Sequence, residues 1–461
     1  MTQAPAHKPR PSPRAALTID TPHGPRPART LAGAFIGGAK GRLLPASIPL
    51  RFFGAAVVYH LLAWLALAAG SAQWAGFGGG LGWPLAALHL VTLGVLGMAA
   101  LGAGAQLLPV ASRQGATGAG ALATVWWLYT PSVACVALGM ALARPPLLAA
   151  GAAAVALALL VWGLLTARNL LGARGMPGVV GHGWAALVAL LLMLLAALGL
   201  VGIWLGLPAP PRHALLALHR LLAPYGFIGM LTLGLSYILL PMFMLADTAP
   251  ERHQLTSLAL ASCALLLAAL AAIGIAPRPL QLAAVLIGAG AVGLHLWLMA
   301  RAARSGMRHL SGPSWLLLRL GWAGLLASLV LAFVWAMRWP LPRLGLWFSW
   351  SLIGVWQLSF LLGMLQRVAP FLAAMHGAPG RRARTPSALT HDGALRLHLA
   401  CHCVGLALLA LAIATESAWA TLAAAAAGTL GALAFAGFYL ALLARIRAPA
   451  EGSGDKARKQ T

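Results

Sequence analysis

Histidine is the residue type in this sequence with both the chemistry and the placement to build a site. His60, His89, His219, His295, His398 and His402 lie in or at the edge of long apolar stretches. Neutral imidazole ligates haem iron and copper, and an ionisable side chain inside a membrane-spanning stretch marks a functional site by default. His398 and His402 stand four apart on one helix face, a spacing suited to a metal ion, while Cys401 and Cys403 diverge from His402. His89 and His219 open two similar stretches, HLVTLGVLGMAALGAGAQLLPV and HRLLAPYGFIGMLTLGLSYILLPMF, which places their rings to reach one shared interior site. Counted back from the prolines that end these stretches, Leu221 rather than His219 is the register equivalent of His89. A two-residue offset turns a side chain to roughly the opposite helix face, so symmetric roles require a local bulge. His60 and His295 read as hydrogen-bonded buried histidines, and His182, His213, His253, His309, His376 and His391 as loop or interfacial residues.

Other chemistries lack their residues. There is no acidic pair, nucleophile triad, phosphate loop or zinc signature. The seven carboxylates, Asp20, Asp247, Glu251, Asp392, Glu416, Glu451 and Asp455, fall in tails, loops or helix ends. That distribution argues against a carboxylate relay and against an ion-coupled transporter built on one. Cys135, Cys263, Cys401 and Cys403 all fall in apolar stretches and carry no disulfide message.

The elements that must position these histidines follow from composition. Hydrophobic residues make up 61% of the 461 and charged residues only 8%, which makes this an all-α polytopic membrane protein in contact with the lipid bilayer. At about 20 apolar residues per crossing, helices are expected over 48–70, 83–110, 120–142, 147–167, 183–206, 214–245, 255–275, 279–300, 314–337, 344–373, 394–415 and 417–445. Residues 1–47, basic and Pro-rich, read as a disordered cytoplasmic tail, and 447–461 as a charged one. The net charge of +25 reflects basic loops on one side of a bilayer and implies no nucleic-acid partner. Arg113, Arg168, Arg174, Arg252, Arg301, Arg304, Arg308, Arg381, Arg382 and Arg384 share the side of both termini, which is therefore the cytoplasm. Trp335, Trp339, Trp347 and Trp350 form an aromatic belt on the opposite side.

The second, sixth and tenth helices share a frame. Each has a glycine followed seven residues later by a proline: Gly102 and Pro109, Gly234 and Pro241, Gly363 and Pro370. The spacing predicts three units of four helices, about 48–167, 183–300 and 314–446. The prolines free a backbone carbonyl, and the glycines admit a neighbouring helix or a flat ligand.

Twelve helices in three groups of four, with a histidine opening the second helix of a group, resemble subunit I of haem-copper oxidases over about residues 48–446. HLVTLGVLGMAALGAGAQLLPV and GMLQRVAPFLAAMH more specifically resemble bacterial subunit-I-like membrane proteins without an assigned function. Haem-and-copper membrane proteins of nitric oxide metabolism share the plan. The resemblance implies the bacterial inner membrane, haem or copper as cofactor, and other respiratory membrane subunits as partners. It assigns His89 the place of a low-spin haem ligand and His219 that of a sixth-helix histidine. An oxidase of this type also needs histidines on helices seven and ten; helix seven here offers only His253 at its edge, and Phe348 and Trp350 occupy the opening of helix ten. A complete oxygen-reducing centre, and hence an oxidase activity, is not expected. The expected role is electron transfer, sensing or respiratory assembly. A permease for a small solute or metal ion and a cofactor-free scaffold are the alternatives.

Overall fold

A chain this apolar must satisfy every backbone N–H and C=O from within, and in a bilayer the helix does so one segment at a time. A computed structural model of the protein describes residues 42–74, 76–116, 118–309, 311–375 and 385–447. Most of the two expected tails, as well as His376, Arg381, Arg382 and Arg384, lie outside the described residues. Among the described residues there are twelve helices long and apolar enough to cross a membrane: α1 Ser47–Ala69, α2 Trp83–Ser112, α3 Ala119–Ala141, α4 Pro145–Leu171, α5 Pro177–Trp204, α6 Arg212–Met244, α7 Glu251–Ala272, α8 Pro277–Ser305, α9 Pro313–Met337, α10 Leu344–Met375, α11 Asp392–Thr415 and α12 Ala418–Arg447. This is a multi-pass, all-α membrane protein.

Local chemistry sets several of the ends. Proline occupies the first turn of α2, α4, α5, α8 and α9, where its missing N–H costs nothing and its fixed φ suits the helix. The left-handed residues Arg113, Leu245, Arg338 and Glu416 close α2, α6, α9 and α11. The largest departure from the expected limits is α5, which starts at Pro177 rather than 183. Its GVVGHG opening reads as a connector, yet glycine is tolerated inside membrane helices because neighbours supply the packing. This correction draws His182 out of a loop and into the helix interior.

Three helices form the centre. The most apolar windows of α2, α6 and α10 are 67%, 83% and 72% buried, against 17–61% for the other nine. Around them α1, α5 and α9 pack on the central helix that follows each, α3–α4, α7–α8 and α11–α12 pair as hairpins, and α12 closes the ring on α1. Each central helix contains a π-helical stretch: Leu90–Gly97, Leu222–Gly229 and Trp350–Leu358. The stretches end at the same distance before Pro109, Pro241 and Pro370, which all sit inside their helices.

The glycines of this frame are contact points between helices. A Cβ on Gly102 would lie 2.9 Å from Phe52 Cβ of α1, one on Gly234 2.7 Å from His182 Cβ of α5, and one on Gly363 2.8 Å from the Ser314 carbonyl of α9. Each is therefore filled by a neighbouring helix rather than held open for a flat ligand.

Candidate metal centre

His89 ends the first α-helical segment of α2, directly before its π stretch, and His219 lies three residues before the π stretch of α6. Both belong to the end of the bundle where even-numbered helices begin, called here the distal face. Their rings meet with centroids 6.2 Å apart and planes within 10° of parallel. His89 Nδ1–H donates to the Leu85 carbonyl at 3.0 Å, which leaves the lone pair on Nε2. His219 Nδ1 is buried without a partner. Metal–imidazole bonds are about 2.0–2.1 Å long, and roughly an ångström more separates each ring nitrogen from its ring centre. Two rings on opposite sides of one metal thus have centres ~6 Å apart. The pair fits a two-imidazole centre in separation and tilt, although the two residues do not occupy equivalent register positions. The π stretches are present in all three central helices, so a bulge peculiar to α6 is not what brings the rings together.

His398 and His402 are fully buried and belong to a cluster with His60 of α1. Ring centroids are 5.7 Å apart between His398 and His402 and 5.8 Å between His60 and His398. Each ring gives one nitrogen to the protein: Trp64 Nε1–H donates to His60 Nε2, His398 Nδ1 bonds the Gly431 carbonyl, and His402 Nε2 pairs with Ser359 Oγ at 2.8 Å. His60 Nδ1, His398 Nε2 and His402 Nδ1 remain without partners. Among the described residues, no group of three or more His, Cys, Asp or Glu is arranged to hold a metal ion. Cys401 is buried and Cys403 exposed, on diverging faces of α11.

A third cluster, which the sequence does not reveal, joins α5, α6, α7 and α8. The Tyr237 ring lies 5.6 Å from that of His182 and 5.2 Å from that of His295, and all three side chains are at most 1% exposed. His182 Nδ1–H donates to the Gly178 carbonyl at 2.7 Å. Tyr237 Oη is paired with Ser257 Oγ, while His182 Nε2 and His295 Nδ1 are buried without partners. His182 is thus a core residue rather than an interfacial one. The sole sequence signal for it was a histidine close to a long apolar run.

The remaining histidines have ordinary surroundings. His391 caps α11 by accepting from the Ala394 N–H, His253 packs its ring on Trp297, and His213 and His309 are exposed. In α10, Phe348 contacts Tyr225 and Trp335, while Trp350 Nε1–H donates to the Leu406 carbonyl at 3.0 Å. Asp247, Glu251, Asp392 and Glu416 are exposed.

The fold matches that of a haem-copper terminal oxidase solved by cryo-electron microscopy as a dimer, with a TM-score of 0.56 over 88% of this chain and 85% of that one, at 12% sequence identity. No protein-family model matches the sequence, and no curated protein does. A likeness at this identity concerns the architecture alone.

Proposed function

We propose that this protein binds one metal centre, the iron of a haem or a copper ion, between His89 and His219, and serves respiratory electron transfer, sensing or assembly in the bacterial inner membrane. The observation that carries the reading is the near-parallel pair of imidazoles 6.2 Å apart at the distal ends of two central helices. Leu85 orients the His89 ring and fixes its tautomer, the service that carbonyl partners commonly render to metal-bound histidine. The likeness to a haem-copper terminal oxidase supports haem or copper over other groups. Bound there, such a metal supplies one-electron exchange. The described part of α10 has no histidine, and α7 has one, in its first turn, which supports a role short of complete oxygen reduction. The same reading takes the chain as three four-helix units with both termini in the cytoplasm and other respiratory membrane subunits as partners. His398 and His402 are the lesser metal candidate, because their rings are tilted by 30° where those of His89 and His219 are near-parallel.

Visible spectroscopy with metal analysis on the purified full-length chain tests the proposal. One haem or one copper per chain is expected, lost in His89→Ala and in His219→Ala and retained in His402→Ala. Wild-type protein without colour or metal, or a cofactor that survives both of the first two substitutions, sinks it.

A further inference from the structure

A cavity of about 500 Å³ opens beside α6, between that helix and α7, α8, α9 and α10. This is the size range of pockets that take drug-sized ligands, about 300–1,000 Å³. Its wall on α8 runs from Gln281 to Val292, so it descends about 16 Å from the distal face toward the middle of the bundle at 1.5 Å rise per residue. The shaft is lined by small and apolar side chains, among them Ala264, Ala268, Ala284 and Leu325, with Trp356 on the α10 side. A hydrogen bond from Tyr225 Oη–H to Ser328 Oγ, 2.8 Å long, ties α6 to α9 beside it.

One charge faces this shaft. Arg220 lines it, and its guanidinium stacks over the Trp335 ring at 5.4 Å. Trp335 stands two residues before the end of α9 and is 40% exposed, and Arg220 Nη2 also approaches Gly345, the second residue of α10. The cation therefore sits at the level where helices end and lipid head groups lie, with the apolar shaft below it. Among the described residues, Arg220 has neither a hydrogen bond nor an acidic partner, and the single ion pair of the protein there is Arg343 with Glu416. A half-buried guanidinium without a counter-charge is costly. Its planar fork matches phosphate oxygens well.

We propose that this cavity is a specific site for an anionic phospholipid of the leaflet at the distal face, with its phosphate on Arg220 and one acyl chain in the shaft. The inference does not depend on any metal at His89 and His219. The full-length protein is reconstituted in vesicles of equal phosphatidylcholine and phosphatidylglycerol, extracted in mild detergent, and weighed intact by native mass spectrometry. About one phosphatidylglycerol per chain is expected to remain, in preference to phosphatidylcholine. Arg220→Gln lowers its retention about tenfold, the loss of one charge-assisted contact. Ala268→Trp, which fills the shaft and leaves Arg220 in place, abolishes it. Matching melting temperatures for wild type and both variants show that the bundle is intact. Equal retention of the two lipids, phosphatidylglycerol retained by both variants, or a fatty acid held in place of the phospholipid overturns the assignment.

Discussion

An imidazole removed from water loses strong hydrogen bonds, so a buried ring needs a replacement for each nitrogen or carries a penalty of about 1–3 kcal/mol. In the cluster of His182, Tyr237, His295 and Ser257, polar atoms from four helices converge in a site at most 1% exposed, and His182 Nε2 and His295 Nδ1 have no partner, a setting that holds a buried water when two to four partners surround it. The sign of one substitution decides between a wet and a dry cluster. If water bridges the group, His295→Leu removes one of its bonds and destabilises the bundle by about 1 kcal/mol. A dry cluster would instead gain stability on losing an orphaned ring nitrogen, so a rise in the melting temperature in detergent rejects the water. Trp64 offers a second test of residue-scale packing. Its indole lies directly against Gly428 of α12 while its Nε1–H donates to His60. Gly428→Ala must displace the ring, breaking that bond and costing about 1–3 kcal/mol through overpacking. Trp64→Phe, with no indole N–H to lose, is expected to shrink the penalty of the same alanine, and equal penalties in both backgrounds would show that the hydrogen bond plays no part.

At the scale of elements, the three central helices each meet a preceding helix at one glycine, and rigid partners make the contact unforgiving. Gly363 faces a backbone carbonyl and Gly234 a Cβ, neither of which can rotate away. Gly234→Ala and Gly363→Ala are each expected to cost about 1–3 kcal/mol in thermal unfolding. Gly102→Ala, whose added Cβ would meet Phe52 Cβ at 2.9 Å and the Phe53 ring edge at 3.0 Å, is expected to cost a similar amount. Wild-type melting in all three would show that these helices separate freely. The crossings themselves are legible in the sequence because length and hydropathy decide a membrane helix almost alone. Where interior contacts decide, the sequence is mute. Nothing in LVTLGVLG, LAPYGFIG or WSLIGVWQL announces a π-helix, a form that neighbours must support. His60 finds His398 from 338 residues away, a pairing visible only once α12 closes on α1. His89 and His219 were readable as residues opening similar helices, but the strict register pointed to Leu221. Their meeting depends on how α2 and α6 lie against each other, which no single helix encodes.

For the whole molecule, the question is which face meets the cytoplasm, since the His89–His219 pair and the Arg220 shaft both belong to the distal one. Basic residues divide unevenly. Arg113, Arg168, Arg174, Arg252, Arg301, Arg304 and Arg308 lie at connections on the face where α1 begins, with Arg445 and Arg447 at the end of α12. The distal connections hold Arg144, Arg212, Arg278, Arg338 and Arg343. Of the distal group, Arg343 is partly neutralised by Glu416 and bonds the Ile413 carbonyl, a local tie between the α9–α10 and α11–α12 connections. An ion pair this exposed is worth no more than about 1 kcal/mol, so it fastens loops without setting topology. By the positive-inside rule, the α1 face is expected in the cytoplasm and the distal face outside. Fluorescent protein fused after the last residue is expected to glow, and alkaline phosphatase fused after Arg144 or after Arg338 to be active; the reverse pattern overturns the orientation. In the expected orientation, a metal held by His89 and His219 lies near the outer surface, within reach of an electron donor outside the cell membrane and far from the cytoplasm. An inverted bundle would reverse that access, so the fusion experiment also decides on which side the redox partner of the proposed metal centre would be sought.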